Sequence, residues 1–190
     1  MREIGILGGS FNPVHSGHLM VASYIKQIAG LDEVWLSLSP ENPLKDCHIN
    51  ASDADRMAML RIAVEQGHGV SATDIELSLP RPSYTIDYLR HLSKRFADCR
   101  FRLIIGSDNW LIFDKWKEHE SILADYGVIV YPRPGYPADN IADPRARLIE
   151  APSIDISSTM IRQAIHDGID MNYFLPEGVY SYIESKKLYS

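Results

Sequence analysis

Short apolar runs alternate along the chain with longer segments whose apolar positions recur every three or four residues. "EIGIL" (3–7), "EVWLSLS" (33–39), "FRLIIG" (101–106) and "GVIVY" (127–131) read as buried strands, "RLIEA" (147–151) as a last one, and "VSATDIELS" (70–78) as extended. Between them lie helical patterns. One covers 17–29, with Val21, Ile25 and Ile28 on one face, Ser16 as the N-cap and Gly30 as the stop. A second covers 54–66, capped by Ser52 or Asp53 and ended by Gly67; a third begins at Tyr84 or Thr85. Residues 107–123 read as short helical turns and then a helix. A hydroxyl-capped helix over 156–168 and a helix over 176–189, entered through Pro176, complete the set.

Strands that alternate with helices imply an α/β fold: a doubly wound, Rossmann-like, mainly parallel sheet with right-handed crossovers and helices on both faces. No internal repeat or linker interrupts the 190 residues, so a single domain over 1–190 is expected, with 156–190 as its helical C-terminal portion. Ligands in such sheets bind beyond the carboxyl ends of the strands. The stretches "GGSFNPVHSGHL" (8–19), "GSDN" (106–109) and "ISST" (156–159) each follow a predicted strand, directly or after a short loop, and can meet in one cleft.

Composition narrows the field. No run approaches about 20 apolar residues, and the N-terminus lacks the pattern of a signal peptide. A cytoplasmic protein without a membrane segment is expected. Cys47 and Cys99 stand far apart and read as free thiols. The net charge of −6 gives no basic surface for nucleic acid. Polyanions can then be held only locally, by backbone N–H groups, helix N-termini and a few placed cations.

The first stretch has that make-up. Gly8 and Gly9 let the backbone approach a ligand closely, followed by Ser10 and Phe11. The helix beginning near Ser16 aims its free N–H groups at the same space. His15 and His18 can donate to phosphate oxygens, more strongly when protonated. The pair lacks an obvious third ligand for zinc. The stretch is neither a G-K-[ST] phosphate loop nor G-x-G-x-x-G. Taken alone it also fits a plain strand–helix turn with surface histidines. Similarly, "ISSTMIR" offers the hydroxyls of Ser157 and Ser158 at a helix start after Ile156, with Arg162 four residues after Ser158 on the same helix face. Alone, that is also an ordinary cap.

Together, G-S-F-N-P-x-H-x-G-H and I-S-S-T-x-I-R resemble the paired signature of the nucleotidyltransferase superfamily that forms α-phosphodiester bonds. Nearly the whole chain is similar to its bacterial nicotinate-nucleotide adenylyltransferase family, through "RPSYTIDYL" (81–89), "IIGSDNWLIFDKW" (104–116), "PRPGY" (132–136) and "LPEGVYSYIESKKLY" (175–189). The resemblance implies adenylyl transfer from ATP to nicotinate mononucleotide, giving deamido-NAD and pyrophosphate, with Mg²⁺ carried mainly on the ATP phosphates and no dedicated metal ligands.

It implies roles as well. His18, His15 and Arg162 would act on the phosphates. Gly8, Gly9, Ser10, Phe11, Gly106, Asp108, Ile156, Ser157 and Ser158 would hold ATP. Tyr84, Thr85, Trp116, Arg133 and Lys45 would hold nicotinate mononucleotide, with Thr85 facing the carboxylate and Trp116, in preference to Trp110, stacking on the pyridine. Each of these residues has a plainer role on its own: cap, core aromatic or solvated cation. The chain departs from the family at Asn12, where aspartate is frequent, and at "NPLK" (42–45), where Leu44 replaces a histidine. A homo-oligomer is compatible with the sequence. The other readings are a phosphopantetheine adenylyltransferase-like enzyme, which usually has threonine in place of His15; a relaxed enzyme preferring the amidated mononucleotide, against which a carboxylate pocket at Thr85 argues; and a non-catalytic nucleotide-binding module, which would be expected to have lost His18 or Arg162.

Overall fold

The structure, a computed structural model, describes residues 1–40, 51–138, 141–152 and 154–190. The described strands form one parallel sheet, β1 (Arg2–Gly9), β2 (Glu33–Leu38), β3 (Val70–Thr73), β4 (Cys99–Gly106), β5 (Val128–Tyr131) and β6 (Ala146–Leu148), in the order β3-β2-β1-β4-β5-β6. The chain leaves β1 toward β2 on one side and returns to β4 on the other. That reversal opens a crevice at the strands' carboxyl ends between β1 and β4.

Alternation along β1 feeds two cores. Leu7 faces one cluster with Ala22 and Ile25 of α1 (Ser16–Ala29), Met57 and Leu60 of α2 (Asp53–Ala63), Ile161 of α6 (Ser158–His166) and Val179 and Ile183 of α7 (Val179–Lys186). Ile4 and Ile6 face the other, with Ile86, Leu89 and Leu92 of α3 (Thr85–Arg95) and Ile122 and Leu123 of α5 (His119–Asp125). Helices therefore cover both faces, as the alternating pattern implies. The short α4 (Ser107–Trp110) follows β4 directly. Among the described residues no helix is long and apolar enough to cross a membrane.

Several boundaries differ from the sequence reading. The N-cap of α1 is His15, and Ser16 is already helical. Ala22 and Ile25 face the core, while Val21 is half-buried and Ile28 is exposed, so the buried stripe is narrower than predicted. Ser52 caps α2 by accepting from the Asp55 N–H, but the helix ends at Ala63; Gly67, at φ 77°, serves the turn beyond it. After β3 the chain coils into a 3₁₀ turn (Ile75–Ser78) instead of staying extended. The last helix is shorter than predicted, because Gly178 and Lys187 take left-handed conformations at its ends. Cys99 is a buried free thiol. Cys47, Lys45 and the "NPLK" stretch lie outside the described residues.

Candidate active site

A cleft of about 590 Å³ occupies the crevice, within the ~300–1,000 Å³ usual for small-molecule sites. The three predicted stretches meet in it. Gly8, Gly9, Ser10, Phe11, His15 and His18 line it with Gly106, Asp108, Ser157, Ser158 and Arg162, and Thr85, Trp116 and Arg133 line it toward α3 and α4. Tyr84 and Ile156 do not line it. Trp110 stacks instead on Phe113, with ring centroids 5.3 Å apart.

The loop after β1 is held through its carbonyl groups. Arg56 of α2 donates through Nη1 to the carbonyls of Ser10 (2.5 Å) and Ser39 (3.2 Å), and its Nη2 pairs with Asp53. Arg162 donates to the Asn12 carbonyl at 2.8 Å and Ser158 Oγ to that of Pro13 at 2.9 Å. Three carbonyls of this loop, those of Ser10, Asn12 and Pro13, are thus taken by donors of α2 and α6, which draws their negative ends away from an anion and favours N–H groups as the loop's polar face toward one. Ser157 Oγ caps α6 by accepting from the Met160 N–H. Both hydroxyls expected at phosphate therefore already have structural partners. A Cβ on Gly9 would stand 3.1 Å from the Phe11 ring and crowd it.

The histidine rings stack at 3.7 Å, and Phe11 meets His18 edge-on at 5.0 Å. The His15 N–H donates to His18 Nδ1 at 3.2 Å, so the neutral His18 ring carries its proton on Nε2. Burial, reinforced by the Arg133 charge, lowers the His15 pKa to about 4. Burial, then His15, then Arg133 hold His18 well below the usual imidazole range. In the free protein both rings are neutral near pH 7. The stronger, protonated form of donation is therefore not the one available: each ring offers one N–H, placed but uncharged.

Arg133 Nη1 pairs with Asp108 Oδ2 at 3.1 Å across Gly106, where any Cβ would fall on both side chains. Ser107 Oγ accepts from the Arg133 N–H and donates to the Tyr136 carbonyl, both at 2.9 Å, which fixes the R-P-G-Y turn. At the other end Tyr84 occupies the cap position of α3 without a side-chain cap, so the first N–H groups of the helix, beginning at Thr85, lack a side-chain acceptor there.

Sequence reasoning passed over three cleft residues. Arg56 is only 2% exposed; the signal was a cation on the same helix stripe as Met59 and Leu60. Glu76 accepts from Ser39 Oγ (3.1 Å) and Ser83 Oγ (3.2 Å), and burial raises its pKa. Tyr88 receives a 2.7 Å bond from Ser37 Oγ, and burial pushes its phenol up to about 12. No sequence signal marked these two. Among the described residues no group of three or more His, Cys, Asp or Glu side chains is arranged to hold a metal ion.

The site thus sets a glycine loop and paired histidines at the switch point of a Rossmann-like sheet. Residues 6–164 match the cytidylyltransferase-like family, and the chain belongs to it. Its relatives include probable nicotinate-nucleotide adenylyltransferases of Bacteroides fragilis, 43% identical over 95% of this chain and 90% of that one, and of Flavobacterium johnsoniae, 37% identical over 98% of each. Among solved structures, a Plasmodium falciparum nicotinic acid mononucleotide adenylyltransferase complexed with NaAD shares the fold, with a TM-score of 0.81 and 22% identity over 100% of this chain and 98% of that one.

Proposed function

We propose that the protein is a nicotinate-nucleotide adenylyltransferase, moving the adenylyl group of ATP to nicotinate mononucleotide in NAD biosynthesis. The observation that carries this reading is one cleft with an anion cradle at one end and an uncapped helix start beside an indole at the other, in a chain whose relatives bear that enzyme's name. A phosphate oxygen of the mononucleotide attacks the α-phosphorus, the bond from that phosphorus to the β-phosphate's bridging oxygen breaks, and pyrophosphate leaves with the electron pair. A phosphate monoester is nucleophilic near neutral pH, so the protein's task is alignment and charge stabilisation.

In this reading the amides of Gly8–Ser10 and the α1 N-terminus face the phosphates. His18 Nε2–H donates to the transferring phosphoryl group, with His15 beside it. Arg162 spans the leaving phosphates while keeping its bond to Asn12. Asp108 receives ribose hydroxyls or a hydrated cation. Magnesium supplies charge neutralisation across the ATP phosphates; the residues in the cleft fit an ion carried by the triphosphate better than a protein cage. The first N–H groups of α3 and the Thr85 hydroxyl receive the nicotinate carboxylate, Trp116 lies against the ring, and Arg133 reaches the mononucleotide phosphate.

The test is pyrophosphate release from ATP and Mg²⁺ with nicotinate mononucleotide, its amide or phosphopantetheine, and with His18→Ala as control. Preference for the acid, lost in the variant, is expected. Equal turnover of acid and amide would sink the carboxylate site at Thr85. Turnover of phosphopantetheine alone would reassign the substrate, and no turnover of any would leave a nucleotide-binding module.

A further inference from the structure

The closing "LY" of the chain's last motif has no part in the reaction above, yet it reaches the reaction's loop. Tyr189 lies past α7 in a left-handed conformation (φ 67°), with its ring buried among the apolar residues of that face. Phenylalanine would fill such a space equally well. A buried phenol also needs a polar partner, and this one finds it 177 positions away: the Tyr189 hydroxyl donates to Asn12 Oδ1 at 2.5 Å. Asn12 is 1% exposed, and its Nδ2 has no partner among the described residues. Within those residues, then, the phenol makes the bond that orients the Asn12 side chain. The main-chain carbonyl of the same Asn12 accepts from Arg162 Nη1 at 2.8 Å. Side chain and backbone of one loop residue are thus fixed from two directions, and one of the anchors is the arginine assigned to the phosphates.

We propose that Tyr189 is a positioning residue for adenylyl transfer: its hydroxyl holds Asn12, and through the Asn12 carbonyl it holds Arg162 and the phosphate loop in register. The kinetic part rests on the proposed function; the structural part does not.

Tyr189→Phe removes the hydroxyl and keeps the ring. Hydrogen exchange in the full-length protein is expected to quicken at the amides of residues 10–15 and to stay as in the wild type along β4. The kcat per folded molecule for pyrophosphate release is expected to fall about tenfold, the scale of a small misplacement of a catalytic group. The KM for nicotinate mononucleotide is expected to stay within about twofold, since its ring and carboxylate site is untouched. The effect should persist in an Asn12→Asp background, which keeps the acceptor oxygen, and vanish in Asn12→Ala, which lacks it. Unchanged exchange in the loop would overturn the proposal whatever the kinetics. So would a lost activity explained wholly by a smaller folded fraction, with wild-type kcat per folded molecule, or equal effects of Tyr189→Phe in both Asn12 backgrounds. A wild-type protein that releases no pyrophosphate would refute the proposed function, and the exchange comparison would still decide the role of Tyr189.

Discussion

At the end of the cleft proposed for the phosphates, the carbonyls of Ser10, Asn12 and Pro13 are held by side chains of α2 and α6, and the His18 tautomer is set by a main-chain N–H. At the end proposed for the pyridine, Trp116 packs at a tilt 5.4 Å from Phe113, and Ser83, just before α3, is tied to Glu76. Tyr84 stands exposed with Lys117 over its ring. At the first end the directional bonds go to main-chain carbonyls of the loop; at the other they run between side chains, Glu76 with Ser39 and Ser83 and Tyr88 with Ser37, beside packed aromatic rings. The contrast follows the chemistry each must do. Stabilising charge in a transition state works only if dipoles are already in place, because reorganising them would cost what they provide. Recognising a flat ring with one carboxylate needs shape and a few polar points.

The largest effect is expected at His18. His18→Ala should lower kcat about 10²–10³-fold with little change in KM, as loss of one placed donor does; a loss under tenfold in steady-state pyrophosphate release would show that the ring is not a catalytic donor. Arg162→Lys should cost about 10–10²-fold in kcat/KM for ATP, since an ammonium cannot hold the Asn12 carbonyl and span two phosphates as a guanidinium can. Near wild-type rates there would mean that this end of the cleft tolerates looseness.

Thr85→Ala probes the other end. It should reduce the preference for nicotinate over nicotinamide mononucleotide about tenfold while leaving the KM for ATP unchanged. A parallel loss with both mononucleotides would assign Thr85 to the fold alone.

The smallest effect concerns stability. The folded-state pKa of His15 lies below its ordinary 6.5, at about 4. The unfolded chain therefore binds the proton first, and the contribution is present above pH 6.5 and lost as pH falls toward 4. About 1 kcal/mol should be gone by pH 6. Urea unfolding at pH 7.5 and pH 6 checks this: His15→Gln should remove the His15 share of the difference and leave that of His18, whose pKa is also held low. An unaltered slope would show that the His15 ring is not held neutral.

Short-range chemistry made much of this molecule legible in one dimension. Gly30 in the left-handed region stops α1, Ser52 caps α2, and Ser157 caps α6, because a cap or stop depends on neighbours a few positions away. The two signature motifs could be read for the same reason, each being a local strand–loop–helix unit, and residues of both line the cleft. Trp116 lines the cleft and Trp110 does not, but the preference for Trp116 as a stacking partner came from the family's pattern and not from spacing. What the sequence could not carry were effects set by distant partners. The neutrality of the histidines comes from burial and from Arg133, more than a hundred residues away. Arg56 reads as an ordinary helix cation until β1 and β2 bring two carbonyls to it, and Tyr189 reads as a core aromatic until the fold sets it against Asn12. Desolvation and long-range pairing exist only once the chain has closed on itself, so the charge state and rigidity of the site were decided by the tertiary structure alone.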